Sequence, residues 1–260
     1  MGLIKISEET PEYTERIFEC KRGELTVRGT EYRPQGEYLP AIIISHGFMA
    51  NQDSVRGYAK AMAEDGFCAY CFDFCGGSAM KNQSDGVSTQ MSVLTEVKDL
   101  EAVLAYVRSL PYVREVILMG CSQGGFVSAL TAVRHPEDVR KLVLFYPALC
   151  IPDDARKGNM RLAVFDPENI PEIFPCGPMM LGKCYVEDVI RMDVNEEIKG
   201  YTGPVLIVHG DEDDIVDLSY SVEAQKAYAD AELKVIHGAG HGFRGSHDQE
   251  ALDHVRKFVK

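Results

Sequence analysis

Positive charge is scarce in this sequence. Lys and Arg number 27 against 40 Asp and Glu, a formal net charge of −13 at pH 7, and the basic residues form no local patch. A chain this acidic repels phosphate backbones and anionic lipid, so nucleic acid is not expected as a partner. Long apolar runs are missing too. The longest, Leu142 to Pro152, is about half of the ~20 residues a membrane helix needs, and no membrane partner is expected either. The amino terminus, MGLIKISEETPEYTER, lacks a basic start followed by an apolar stretch and a small-residue cleavage site. No secretory signal is therefore read, and the cytoplasm is the expected location. Ile6 stands where a myristoylation signal after Met1-Gly2 wants Ser or Thr, which argues against that anchor.

Repeats, low-complexity linkers and composition breaks are also absent. With 260 residues, 45% hydrophobic and 26% charged, the chain reads as one soluble globular domain over 1–260. Eight cysteines do not amount to a disulfide framework. Cys68 and Cys71 lie in a strand-like run where they point to opposite faces, and Cys71 and Cys75 would stand roughly 13 Å apart, so reduced core thiols are expected. No phosphate loop or metal-ligand spacing occurs, and no cofactor or metal is expected.

The hydrophobic pattern alternates between strands and helices. ERIFEC and ELTVRGTEYRP flank Lys21-Arg22-Gly23 as an opening hairpin. AIIIS (41–45) is too short for a helix and too uniformly apolar for a half-exposed strand, so it reads as a strand covered on both faces. Helical spacing over 53–65 follows, then a strand at 67–74, a helix at 95–110, a strand at 113–120, a helix at 123–134 and a strand at 141–147. The series resumes with a strand at 204–210, a helix near 219–229, a strand at 231–236 and a helix from about 246. This order predicts an α/β fold: a mostly parallel eight-stranded sheet with helices on both faces and an antiparallel edge from the first two or three strands. The interval 147 to 204 is longer than a crossover requires, and half of the 12 prolines fall between 147 and 178. Its apolar residues, among them Phe165, Phe174, Met179 and Tyr185, predict an ordered, helix-poor cap insertion at about 148–195.

The strand at 113–120 runs into Gly120-Cys121-Ser122-Gln123-Gly124, a G-x-S-x-G that then opens a helix. A strained strand-to-helix turn crowds the backbone on both sides of its apex, which is why small residues are needed two before and two after the serine. A bare match arises by chance in about one such sequence in ten, so it is the strand before it that makes Ser122 a candidate nucleophile. Serine needs a histidine to take its proton and a carboxylate to hold that imidazole, in the chain order Ser, acid, His. Of the seven histidines, His46 and His209 follow strands and precede glycines, suiting structural or oxyanion-loop roles. His135, His247 and His254 lie on helices or their ends, and His237 ends the last strand. His241, on the glycine-rich loop after that strand, is the candidate base. The acid follows the strand at 204–210. Asp211 sits where it would shape the turn, and Asp213 is preferred with Asp214 as the alternative. Backbone N–H groups of Phe48 and Gln123 are the expected oxyanion donors.

With those residues in place, the chain resembles the α/β-hydrolase superfamily over nearly its whole length, and within it the bacterial cinnamoyl (feruloyl) esterases. The resemblance rests on HGF at 46–48, the segment from Asp73 through Gly76-Gly77-Ser78 to Ser84-Asp85-Gly86, CSQGG at 121–125, HGDEDDIV at 209–216 and GAGHGF at 238–243. It implies Ser122, Asp213 and His241 as a catalytic triad with Phe48 and Gln123 as oxyanion donors. It also implies that Asp154 and Tyr185, in the insertion, approach the phenolic hydroxyl of the substrate. Arg161 falls where members of that family carry a glutamine facing the same pocket. The expected activity is serine ester hydrolysis through an acyl-enzyme, on hydroxycinnamate or similar small esters. The alternatives are a monoacylglycerol-type lipase, a short-peptide hydrolase and a catalytically silent binding protein. The expected partner is a small-molecule ester; whether the chain forms a homodimer is left open by the sequence.

Overall fold

The computed structural model describes residues 13–160 and 162–260. Ile6 and Arg161, and the readings made on them, lie outside the described residues. The opening hairpin is β1 (Tyr13–Arg22) and β2 (Leu25–Pro34), in antiparallel register. Its turn uses Gly23 at φ +60, a region that a residue with a Cβ enters at a cost. Next come β3 (Leu39–Ser45), α1 (Arg56–Glu64), β4 (Cys68–Phe72), α2 (Val93–Arg108), β5 (Val113–Cys121), α3 (Gln123–Arg134) and β6 (Val139–Phe145). The long interval then carries α4 (Ile151–Lys157), a hairpin of β7 (Ile173–Cys176) and β8 (Met179–Gly182), α5 (Cys184–Glu187) and α6 (Val194–Ile198). The chain closes with β9 (Val205–Gly210), α7 (Leu218–Ala227), β10 (Ala231–Ile236) and α8 (Ser246–Val259).

Eight strands make one sheet in the order β1-β2-β4-β3-β5-β6-β9-β10, while β7 and β8 pair only with each other. The β1/β2 and β2/β4 pairs are antiparallel, and every other neighbour in the large sheet is parallel. Alternation along the strands sorts the core into two layers. Ile43, Tyr70 and Leu118 pack with α2 and α3, whereas Ile42, Ile44, Cys71 and Met119 pack with α1 and α8. Cys68 and Cys71 accordingly face opposite layers, and among the described residues all eight cysteines are free. No helix among the described residues is long and apolar enough to cross a membrane.

Of the boundaries that differ from the sequence pattern, three have a local reason. The strand read over 67–74 stops at Phe72 because Asp73 turns its carboxylate inward to accept N–H groups of Gln52 at 2.8 Å and Gln83 at 2.7 Å. The helix read from 95 begins at Val93, since Ser92 and Thr95 cap it reciprocally: Thr95 N–H donates to Ser92 Oγ and Ser92 N–H to Thr95 Oγ1. The helix read from 53 begins at Arg56, after a tight turn at Gln52–Ser54 that Asn51 caps.

Parallel strands place their carboxyl ends at one edge, and β4, β3 and β5 reverse the strand order there. Ligands of open α/β sheets bind in the crevice at such a reversal. Residue 48 follows β3, residue 122 follows β5, the long interval follows β6, residue 213 follows β9 and residue 241 follows β10.

Candidate active site

Ser122 sits at the apex of the turn between β5 and α3 with φ 54 and ψ −121. The crowding that the glycine spacing implied is present on both sides. A Cβ on Gly120 would lie 2.1 Å from the Gly124 carbonyl oxygen, and one on Gly124 would lie 2.3 Å from the carbonyl oxygen of His46. The turn is pinned by Ser122 N–H donating to Phe145 O at 2.9 Å and by Ala148 N–H donating to Ser122 O at 2.9 Å. The serine is thus held by the end of β6 and the residues just after it, with its hydroxyl against His241.

The three sequence-predicted residues come together in a line. Ser122 Oγ lies 2.9 Å from His241 Nε2, and His241 Nδ1 lies 2.8 Å from Asp213 Oδ2. The Asp213 side chain is fully buried. Its Oδ1 accepts N–H groups from Ile215 and Val216, both at 2.9 Å, and its Oδ2 also accepts from His209 Nε2 at 3.1 Å. Burial alone would raise this carboxyl's pKa, but bonds from His209, His241 and the two backbone donors outweigh it and hold the group well below the usual carboxylate range. Asp213 is therefore an anion at neutral pH, able to fix the His241 tautomer with its proton on Nδ1. Nε2 is left to accept from the serine. Asp211 shapes the adjoining turn, with Oδ1 accepting from Gly238 N–H at 2.7 Å and Oδ2 meeting His237 Nδ1 at 2.7 Å. Asp214 is exposed on the same loop.

His46 and His209 meet different partners. His46, fully buried, accepts Phe74 N–H at Nε2 and donates Nδ1–H to the Gly47 carbonyl, which fits its place in the loop carrying Phe48. Burial pushes its pKa down, keeping it neutral. His209 belongs instead to the acid: besides Asp213 it contacts the Val216 carbonyl through Nε2 and accepts from Ser221 Oγ at Nδ1, 2.7 Å away. Behind His241, the Tyr146 ring packs edge-on with centroids 4.7 Å apart. Tyr146 follows β6 at φ 36, a strained value for a residue with a side chain. Cys121, next to the serine, is buried, and burial pushes its thiol up to about 12. A thiol so far from thiolate is a packing residue.

Phe48 and Gln123 flank the serine. Among the described residues neither backbone N–H has an acceptor, and at the first position of α3 Gln123 cannot find one inside the helix. Together with Ser122 they line a small cavity of about 100 Å³, walled by Ala148, Ile151, Asp154, Met160, Tyr185 and Val216 among others. Of the three insertion residues singled out in the sequence, Asp154 and Tyr185 reach this cavity and Arg161 is not described. Burial raises the Asp154 carboxyl above its ordinary value, with the Cys150 thiol and Lys157 opposing. The Tyr185 hydroxyl donates to Gln123 Oε1 at 2.5 Å, so toward a ligand it offers only its lone pairs. A larger cleft of about 800 Å³, lined by Asp153, Arg156, Arg191 and Tyr220 among others, contains none of the predicted site residues.

One buried group had no place in the sequence reading. Glu96, 1% exposed on the first turn of α2, accepts Gln123 Nε2–H at Oε2, 2.7 Å away. The signal was present, because Glu96 and Asp99 interrupt the apolar stripe Val93, Val97, Leu100, Val103 and Leu104, and both are buried. Burial raises the Glu96 pKa well above the ordinary value, against the Gln123 bond. A carboxyl raised on folding contributes stability that is full below its unfolded pKa, near 4.3, and is lost as pH rises through the folded value. Glu96→Gln, which cannot ionise, is therefore expected to gain in urea midpoint over the wild type as pH rises from 5 to 8. A difference that stays constant across that range would show that the carboxyl is not raised.

Among the described residues no three His, Cys, Asp or Glu side chains gather as metal ligands. The arrangement brings together a serine hydroxyl, an imidazole and a buried carboxylate beside two backbone N–H groups that find no acceptor among the described residues.

A family model described as serine aminopeptidase, S33, matches residues 37–173. Est1E from Butyrivibrio proteoclasticus, solved with ferulic acid bound, is similar at 28% identity and a TM-score of 0.87, over 93% of this chain and 97% of that one. A further structure of Est1E aligns at 26% identity and a TM-score of 0.83, over 94% and 97%. DcsB, solved with a substrate analogue, shares the fold at 22% identity and 0.76, over 95% and 98%. A search of curated proteins finds no match.

Proposed function

The chain belongs to the serine aminopeptidase, S33, family and has the α/β-hydrolase fold, and on that footing we propose that it is a serine ester hydrolase working through an acyl-enzyme. The observation that carries the reading is the unbroken line Ser122–His241–Asp213 beside two N–H groups without acceptors among the described residues. His241 Nε2 takes the Ser122 proton as Oγ attacks the ester carbonyl. The tetrahedral oxygen is received by the N–H groups of Phe48 and Gln123, where each well-placed donor is worth about 10²–10³ in rate. His241 then hands its proton to the departing alkoxide, and water repeats the sequence in reverse to release the acid.

The insertion at 148–195 acts as a cap over the acyl group. A cavity of about 100 Å³ is small beside the ~300–1,000 Å³ of typical ligand sites, so the acyl group it takes is small or flat. Asp154 is the one carboxyl among the described residues lining that cavity, and it suits a substrate hydroxyl that donates a hydrogen bond. Together with the likeness to an esterase solved with ferulic acid, this favours hydroxycinnamate esters. Methyl ferulate, caffeate or p-coumarate is expected to be turned over roughly tenfold more efficiently than methyl cinnamate, or ~1.4 kcal/mol in kcat/KM. Asp154→Ala erases that ratio if the carboxyl reads the hydroxyl. An unchanged ratio in the variant returns the protein to a general carboxylesterase.

The same carboxyl could instead receive the ammonium group of a peptide, which the family's description makes the second reading. Aminoacyl p-nitroanilides run beside the ester panel decide it, since amide turnover above ester turnover assigns a peptidase.

A further inference from the structure

One side chain of the insertion touches both residues of the proposed oxyanion hole. Tyr185, buried in α5, lays its ring against Phe48 with centroids 5.4 Å apart and donates its hydroxyl to the Gln123 side chain. Gln123 passes the contact inward, its Nε2 donating to Glu96 Oε2. The amide is thereby held at both ends, its oxygen by a phenol and its nitrogen by a buried carboxyl.

The other end of this chain is fixed to the same place. Ser92 Oγ, at the cap of α2, donates to Asp188, and the Cys184 thiol reaches the carbonyls of Thr89 and Met91, 3.7 Å from each. Ser88 Oγ donates to the Met180 carbonyl at 2.6 Å. The segment that carries Tyr185 is thus fastened to the turn that starts the helix carrying Glu96. Proton transfer as derived above uses neither residue. A buried carboxyl is costly unless it is hydrogen-bonded, so its retention here calls for a role.

We propose that Glu96 and Tyr185 position the oxyanion hole through the Gln123 side chain, so that the insertion governs the rate of attack on any ester as well as which acyl group fits. The inference rests on the reading of Phe48 and Gln123 as the oxyanion donors. Its physical basis is the narrow distance range in which a donor is effective, 2.7–3.1 Å from the developing anion. Gln123 is the first residue of α3 and its N–H has no intrahelical bond to aim it. A side chain clamped at both ends supplies that aim, and the ring contact does the same for Phe48. Neither Glu96 nor Tyr185 needs to touch the reacting atoms for this.

The test uses p-nitrophenyl acetate, whose acyl group has no hydroxyl for the cap to read, and a trifluoromethyl ketone whose tetrahedral adduct places an oxyanion in the hole. Glu96→Ala and Tyr185→Phe are each expected to lower kcat on the acetate by about tenfold, a fraction of the ~10²–10³ that one whole donor is worth. KM stays within about twofold, and affinity for the ketone falls by the same factor as kcat. Glu96→Gln, able to accept the same bond, recovers most of the loss. A kcat within about twofold of wild type in both variants, or a loss confined to KM, overturns the proposal. Should Glu96→Ala fail to fold, Tyr185→Phe decides alone, because it removes one hydroxyl and keeps the ring. Labelling of wild-type Ser122 by a fluorophosphonate separates the two levels. Without labelling or acetate turnover the esterase reading falls and takes this one with it; with both intact and the variants silent, only the positioning role is lost.

Discussion

Ser122→Ala is expected to lower kcat on a simple ester by about 10⁴-fold or more while shifting stability by less than about 1 kcal/mol. The asymmetry follows from the geometry. The hydroxyl's hydrogen-bond partner is His241, whereas the backbone of the turn is held by Phe145 and Ala148, and alanine keeps those bonds. The left-handed φ of 54 costs alanine much what it costs serine. What remains of the rate comes from the oxyanion donors and substrate binding alone. Retention of more than about a hundredth of the wild-type kcat would sink the nucleophile assignment.

Nearly as large an effect is expected at Asp213. Its two oxygens accept four donors, two from imidazoles and two from the backbone. In Asp213→Asn one oxygen can still take the backbone pair, but an NH₂ then faces two imidazole N–H groups. His241 relieves the clash by moving its proton to Nε2, the tautomer that cannot accept from Ser122, and kcat falls by about 10⁴-fold. Asp214→Asn stays within about threefold, since the exposed loop position leaves the buried carboxylate intact. The pH dependence separates the partners further. The folded-state pKa of Asp213 is depressed, so its contribution to stability is present above the unfolded value, ~3.9, and is lost only as pH falls through the folded one. Between pH 5 and 8 the carboxylate stays ionised. The stability that Asp213→Asn loses against the wild type is therefore expected to be the same at pH 5 and pH 8, and a loss seen only at pH 8 contradicts the depressed carboxyl. A reversal of the Asp213 and Asp214 effects moves the acid one residue along.

The parts of this site that were legible in the sequence are those fixed by local sterics or by chain order. Gly120 and Gly124 announce the turn at Ser122 because any Cβ there would strike backbone. His241 and the acid loop follow from the order of strands, since parallel strands deliver every following loop to the same edge. Asp213 could be separated from Asp214 only by the fold of the loop, in which N–H groups of Ile215 and Val216 wrap one carboxylate and turn it inward. His209 lay in a segment already quoted, yet its service to the acid depends on Nε2 facing Asp213 four residues on. The Tyr185–Gln123–Glu96 contact joins three distant stretches, of which the local pattern marked only Glu96, as a carboxyl within an apolar stripe. The long interval between β6 and β9, read as helix-poor, carries α4, α5, α6 and one hairpin, elements too brief for hydrophobic periodicity to register.

β6 and β9 are adjacent parallel strands, so some crossover between them is obligatory, and the excursion that holds Asp154 and Tyr185 is spliced into that crossover. Recombination that exchanged this stretch for one of different length would leave every register of the large sheet as it is. Few places in the chain could accept so much foreign sequence at so little structural cost. An incoming segment without a phenol at the place of Tyr185 would, however, bring a new substrate range and a slower catalyst in the same event. Descendants of such an exchange would then face selection on turnover first, and the positions open to repair would be Phe48, Glu96 and Gln123, outside the transplanted piece.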